Sequence, residues 1–245
     1  MTGLAVSCRY MALNGHVTVI SVEYRLSPEH VYPIPIDDGW NAVQHIISNL
    51  SSIVPNNTGP TKLVLCGTSS GGHLAAILSQ RLPKWLSAAD NASLAAQVSF
   101  DGVLLRAPVT VRGTDPEFIP PKFRQLHRSW MDDYHEAEMD RLSMTRNHDS
   151  LGVPVAERNS PDAYPLWGTL DGLPRTYIQI CEMDILRDDA TCYARALLDA
   201  GVEVRETLYK GLPHIFWIYG HHLNVSKMAQ DDCVNGLRWL LRTAE

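Results

Sequence analysis

The stretch that decides the fold is Lys62-Leu63-Val64-Leu65-Cys66-Gly67-Thr68-Ser69-Ser70-Gly71-Gly72. Its first five residues form an apolar run too short for a helix and suited to a strand covered on both faces. Beyond Gly71-Gly72, the residues Leu74, Ile77 and Leu78 return at helical spacing. Strand, tight turn and helix are therefore joined over residues 67–72. Gly67 to Gly71 also matches G-x-S-x-G, a pattern that fits a Gly/Ser-rich loop without chemistry equally well when read alone. The strand-to-helix context makes it informative. A nucleophile on so sharp a turn is held in strained backbone geometry, and residues lacking a Cβ leave room for strand and helix to approach it. Ser69 is thus the candidate nucleophile, and Ser70 the weaker one because Thr68 precedes it by two where glycine is needed. The Ser70 backbone N–H, at the helix N-terminus, points to where an oxyanion would form.

Working outward, Leu4, Cys8, Met11 and Ala12 repeat at helical spacing, and Asn14-Gly15 supplies a helix stop. Val17–Val22 is a β-branched run expected to form a central strand of a covered sheet. Asp37 and Asp38 suit the start of a second helix, whose apolar face carries Trp40, Val43, Ile47 and Leu50. Val103–Leu105, Tyr177–Cys181 and Val202–Leu208 read as further strands. Asp188–Ala200 reads as a helix stopped by Gly201, and Val225–Leu241 as a final amphipathic helix. Strands alternating with helices predict an α/β fold, a mostly parallel sheet with helices on both faces, in one domain over residues 1–245. Residues 111–170 break the rhythm with Pro116, Pro120-Pro121, Pro154, Pro161 and Pro165. They predict a lid-like insertion, with one or two helices in the polar stretch Phe123–Met144.

A serine needs a base, and the base needs a carboxylate to fix its tautomer. Asp184 and His214 lie just after the fourth and fifth predicted strands, at the carboxyl ends where such sheets place their sites. The chain order Ser69, Asp184, His214 is that of an α/β-hydrolase. His73 is too close to Ser69 along the chain to approach from a separate loop, and His221-His222 reads as surface. His127 and His135, with Asp132 and Asp133 between them, lack a metal-site spacing and read as a solvated lid, so no metal is expected. Asp188 and Asp189 are expected at a helix N-terminus. With neither a dinucleotide nor a P-loop motif, no cofactor is expected.

Composition narrows the partners. Among 245 residues, 45% are hydrophobic and 20% charged, which supports a sizeable core. With 21 Lys plus Arg against 27 Asp plus Glu and no basic cluster, nucleic acid is excluded as a partner. The apolar runs Val17–Ile20 and Ile215–Tyr219 fall far short of the ~18 residues of a membrane span. Five scattered cysteines outside any C-x-x-C pair predict free thiols and a cytoplasmic location. Sequons at Asn56, Asn91 and Asn224 would matter only after secretion.

Four segments together resemble the hormone-sensitive-lipase-like esterases of the α/β-hydrolase class. Val22-Glu23-Tyr24-Arg25-Leu26-Ser27-Pro28-Glu29-His30 resembles V-D-Y-R-L-A-P-E-H, and Gly67 to Gly72 resembles G-D-S-A-G-G. Asp184-Ile185-Leu186-Arg187-Asp188 resembles D-P-L-R-D, and Gly211 to Phe216 resembles G-x-x-H-x-F. The resemblance implies hydrolysis of a small-molecule carboxylic ester through an acyl-serine, with residues 111–170 contributing to the substrate pocket. Its fungal flavour implies an acylated secondary metabolite. The family's H-G-G-G loop has no counterpart, since no histidine in this chain is followed by glycine. The strand before that loop is also expected to be missing, leaving Val17–Val22 and Lys62–Cys66 to face each other across a gap or close up. These departures point to a longer gene product, and keep two alternatives open: a catalytically impaired binding protein and a non-hydrolytic biosynthetic enzyme.

Overall fold

A computed structural model describes residues 3–55, 59–132 and 139–242. Among these, four parallel strands form one sheet in the order β1-β2-β3-β4: β1 (Thr61–Thr68), β2 (Val98–Arg106), β3 (Thr176–Cys181) and β4 (Val204–Tyr209). Six longer helices accompany them: α1 (Gly3–Gly15), α2 (Ile34–Ser48), α3 (Ser70–Leu86), α4 (Arg141–Ser150), α5 (Arg187–Asp199) and α6 (Asn224–Leu241). Parallel neighbours need crossovers, and α3 and α5 supply those from β1 to β2 and from β3 to β4.

The two-residue period of a strand splits the core. Val103, Leu105, Ile178 and Ile180 pack with Ala75 and Ala76 of α3 and Ala190, Tyr193 and Leu197 of α5. Leu104 and Tyr177 face the other way, onto Met11 of α1 and Cys233, Leu237 and Leu240 of α6. Close approach on that side depends on Gly236, where an added Cβ would lie 2.1 Å from the Tyr177 ring. Both faces of β2 and β3 are thus covered; β1, β2 and β3 extend the strands expected from the sequence, whereas β4 starts two residues later than expected, at Val204, and ends one later, at Tyr209.

Val17–Val22 departs from expectation. It is extended but joins no ladder, and Ile20 and Val22 are exposed while Val17 and Val19 rest against the α1–α6 layer. Strand propensity alone does not make a strand; a neighbour within hydrogen-bonding reach does. Its place across from the outer edge of β1 is a cleft of about 400 Å³, one of the two outcomes foreseen for this region. The second helix also begins earlier than expected, at Ile34, with proline in its first turn. Asp38 is therefore freed to grip the Tyr24-Arg25 segment, accepting from the Arg25 backbone N at 3.1 Å and pairing with its guanidinium at 2.7 and 2.9 Å.

Among its described residues, the segment between β2 and β3 is built of short 3₁₀ turns and α4. Of the one or two helices expected over Phe123–Met144, the described residues hold single turns at Pro121–Phe123 and Ser129–Met131 and the start of α4, and residues 133–138 lie outside them. Asp133, His135 and the Asn56 sequon lie outside the described residues. No described helix is long and apolar enough to cross a membrane.

Candidate active site

Ser69 occupies the turn from β1 into α3 with φ 54° and ψ −119°, a conformation that L-residues avoid. The turn holds because Gly67 has no side chain: a Cβ there would sit 2.0 Å from the Gly71 carbonyl oxygen. Further anchors are the Ser69 N–H bond to the Arg106 carbonyl at 2.8 Å and the His73 N–H bond to the Ser69 carbonyl at 3.0 Å. Ser70, Gly71 and Gly72 form the first turn of α3, whose N–H groups have no partner within the helix. That leaves the Ser70 N–H free for an anion beside the Ser69 hydroxyl.

Asp184 follows β3 and His214 follows β4, so successive crossovers deliver both to the end of the sheet where Ser69 lies. Both are almost wholly buried, at 2% and 4% exposure, whereas Ser69 is partly accessible. His214 Nε2 lies 3.0 Å from Ser69 Oγ, and His214 Nδ1 lies 2.6 Å from Asp184 Oδ2. The other Asp184 oxygen accepts from the Leu186 N–H at 2.9 Å. The two loops are tied together as well, by Glu182 accepting from the Gly211 N–H at 2.8 Å and by a Met183 to Leu212 backbone bond at 3.1 Å. Beyond His214, Ile215 turns left-handed and starts a helical turn whose Phe216 and Trp217 pack on Tyr209. With Asp184 fixing Nδ1–H, the geometry leaves Nε2 free to take a proton from the serine.

The remaining histidines separate cleanly. His73 is buried in α3, donates Nε2–H to the Ala163 carbonyl at 2.7 Å, and is held below its ordinary pKa by burial. His221 and His222 are exposed. His127 corrects the solvated-lid expectation: it is buried and donates Nε2–H to Asp189 at 2.8 Å. Among the described residues, no group of three potential ligands could hold a metal ion.

Asp188 and Asp189 stand in the first turn of α5, but their oxygens reach outward instead of capping it. Asp189 accepts from the Thr110 and Val111 N–H groups at 2.8 and 3.1 Å, and Asp188 from those of Arg128 and Ser129, both at 2.6 Å. Burial pushes the Asp188 carboxyl up, yet Arg187 and these amides outweigh it and hold it below the usual carboxylate range. The insertion is thus clamped to the helix that follows Asp184. Ile185 and Leu186 complete the attachment by packing against Val109, Trp130 and Tyr164. The helix N-terminus expected for Asp188-Asp189 is where they lie, but the clamp they form was not legible, because its partners are backbone amides far along the chain.

Comparison with known proteins adds an independent line. A family model described as alpha/beta hydrolase fold matches residues 4–218. The versiconal hemiacetal acetate esterase of Dothistroma septosporum is 26% identical over 250 residues, covering 96% of this chain and 67% of the relative. Its namesake from Aspergillus parasiticus is 31% identical over 215 residues, covering 86% and 60%. Carboxylesterase NlhH of Mycobacterium tuberculosis is 28% identical over 217 residues, covering 80% and 55%. The chain therefore spans between 55% and 67% of these relatives' lengths. Among solved structures, vibralactone cyclase superposes with a TM-score of 0.81 at 23% identity, over 94% of this chain and 63% of that one. An esterase of Pyrobaculum calidifontis gives 0.79 at 22%, over 96% and 70%.

Proposed function

Because the chain belongs to the α/β-hydrolase fold family, we propose that it is a serine hydrolase of carboxylic esters. The observation that carries this reading is the continuous path from Ser69 Oγ through His214 to Asp184, at 3.0 and 2.6 Å. In this reading His214 Nε2 takes the Ser69 proton as Oγ attacks the ester carbonyl, and Asp184 steadies the imidazolium that forms. The Ser70 N–H and the N-terminus of α3 stabilise the oxyanion. Collapse expels the alcohol, which receives the proton from His214, and leaves an acyl-serine. A water deprotonated by His214 then releases the acid, so protein groups alone supply the chemistry.

The insertion clamped by Asp188 and Asp189 shapes the acyl or alcohol pocket in this account, supported by its packing on Ile185 and Leu186 directly after Asp184. Relatives named for a hemiacetal acetate support a small acylated secondary metabolite as substrate. Five cysteines outside any disulfide support a cytoplasmic setting. A protein that only binds ligands has no use for a serine, an imidazole and a carboxylate in hydrogen-bonding sequence, so the binding-protein alternative is not favoured.

The test is hydrolysis of p-nitrophenyl acetate by wild type and by Ser69→Ala, with circular dichroism to establish that the variant is folded. Turnover is expected to fall by roughly 10⁴-fold or more. Equal turnover in the two proteins would remove Ser69 from the reaction.

A further inference from the structure

β4 ends the sheet on the side away from β1, and among the described residues no strand lies beyond it. Along its inner side, the carbonyls of Glu203 and Tyr209 accept from the N–H groups of Thr176 and Glu182. Backbone direction alternates along a parallel strand, so the odd-numbered residues of β4 bond to β3. Val204, Glu206 and Leu208 therefore direct their N–H and C=O groups away from the sheet. Side chains alternate too. Arg205 faces α6, its guanidinium 4.8 Å over the Trp239 ring, whereas Val204 packs on the α5 side together with Glu206 and Leu208. On that face the edge presents Leu208, 46% exposed, with exposed Glu206 before it and exposed Lys210 after it, one residue beyond the strand. Neither charge forms an ion pair among the described residues.

Charges on a sheet edge ordinarily discourage pairing. Here their order decides otherwise. Two copies of β4 meet antiparallel about a two-fold axis perpendicular to the sheet, which keeps each face on its own side and sets outward-directed residues opposite one another. Centred on Glu206, such a pair sets two carboxylates face to face. Centred on Thr207, it sets each Glu206 against a leucine. Centred on Leu208, it joins that residue to its copy through two N–H···O bonds and places each Glu206 opposite the other copy's Lys210. Opposite charges directly across two strands stabilise their pairing, and like charges weaken it. The register centred on Leu208 alone satisfies the backbone, apolar and charged groups together.

We propose that the chain forms a two-fold dimer through β4, in which the sheets of two copies join edge to edge with Leu208 at the axis and a Glu206–Lys210 ion pair on either side of it. The partner is a second copy because the order of charges along this edge, acidic before the leucine and basic after it, is complementary to its own reverse. The contact uses no residue of the Ser69 site, so the proposal stands or falls apart from the esterase reading.

Sedimentation velocity of the full chain across the micromolar range tests this. A concentration-dependent passage from monomer to dimer is expected. Glu206→Lys sets like charges against each other on both sides of the axis and should weaken dimerisation roughly tenfold, as should Lys210→Glu. Combining the two changes reverses each ion pair and should restore wild-type dimerisation. Leu208→Pro removes the N–H at the axis, which β3 does not use, and should abolish dimerisation. The charge variants change exposed side chains and remain decisive should Leu208→Pro not fold. A monomer at every concentration overturns the proposal. So does a dimer that Glu206→Lys and Lys210→Glu leave unchanged, since its contact then lies elsewhere on the chain. A combined variant that stays as weak as the single ones overturns the ion pair, and tighter dimerisation by Glu206→Gln overturns the register in favour of one centred on Glu206.

Discussion

On one side of β1 the chain is closed, and on the other it is open. β2 and β3 are paired on both edges and largely buried, β4 closes the row as its edge strand, and Asp184 and His214 are buried at the ends of β3 and β4. Across the outer edge of β1, Val17–Val22 has comparable strand propensity yet stays unpaired, with Ile20 45% exposed. The difference teaches that a strand here is a property of its neighbours. Ser69, His214 and Asp184 all belong to the closed side, held by loops that β1, β3 and β4 anchor. The open side contributes Tyr24, whose hydroxyl lies 3.4 Å from Ser70 Oγ.

The largest effect expected on the closed side is catalytic. Asp184→Asn leaves His214 in place but misdirects its tautomer, and should lower kcat for p-nitrophenyl acetate by about 10⁴-fold with little change in thermal stability. A loss of tenfold or less would mean that the carboxylate does not orient the base. Next in size is packing: Ile178, fully buried between α3 and α5, should cost ~2–5 kcal/mol in urea unfolding when replaced by alanine.

The insertion adds a pH-dependent contribution. Burial holds His148 neutral and lowers its pKa to about 4, while Nδ1 bonds the Tyr164 hydroxyl at 2.9 Å. An unfolded histidine titrates near ~6.5, so below that pH the unfolded chain takes up a proton that the folded chain refuses. Stability is therefore full above pH ~6.5 and falls as pH drops toward 4, by on the order of 3 kcal/mol for this group. His73, also lowered by burial, acts with the same sign. His148→Gln should flatten the fall between those limits in urea midpoints, and an unchanged slope would show that His148 is protonated in the folded protein. The smallest effect belongs to the open side, where Ile20→Ala should change stability by less than ~0.5 kcal/mol. A cost like that of Ile178→Ala would break the contrast between the two sides.

These regions also differ in how legible they were. Strands β1 to β3 could be read because each contains a short β-branched or apolar run and is covered as such runs require, and β4 because Val204, Thr207, Leu208 and Tyr209 carry strand propensity although it lies at the exposed sheet edge. Ser69, Asp184 and His214 could be singled out because the parallel topology sends every strand end to one place. Val17–Val22 carries the same local signal, but pairing is non-local and no composition reports whether a partner strand is within reach. The Asp188 and Asp189 clamp was hidden for a related reason, since its partners are backbone amides that any sequence possesses.

The central claim is that His214 activates Ser69 for attack. Incubation with a fluorophosphonate probe, followed by peptide mass spectrometry, tests it directly. The account predicts an adduct on Ser69 in wild type, formed at least ~10²-fold more slowly in a folded His214→Gln variant. An adduct on Ser70, or one on Ser69 forming at the same rate in both proteins, would contradict it.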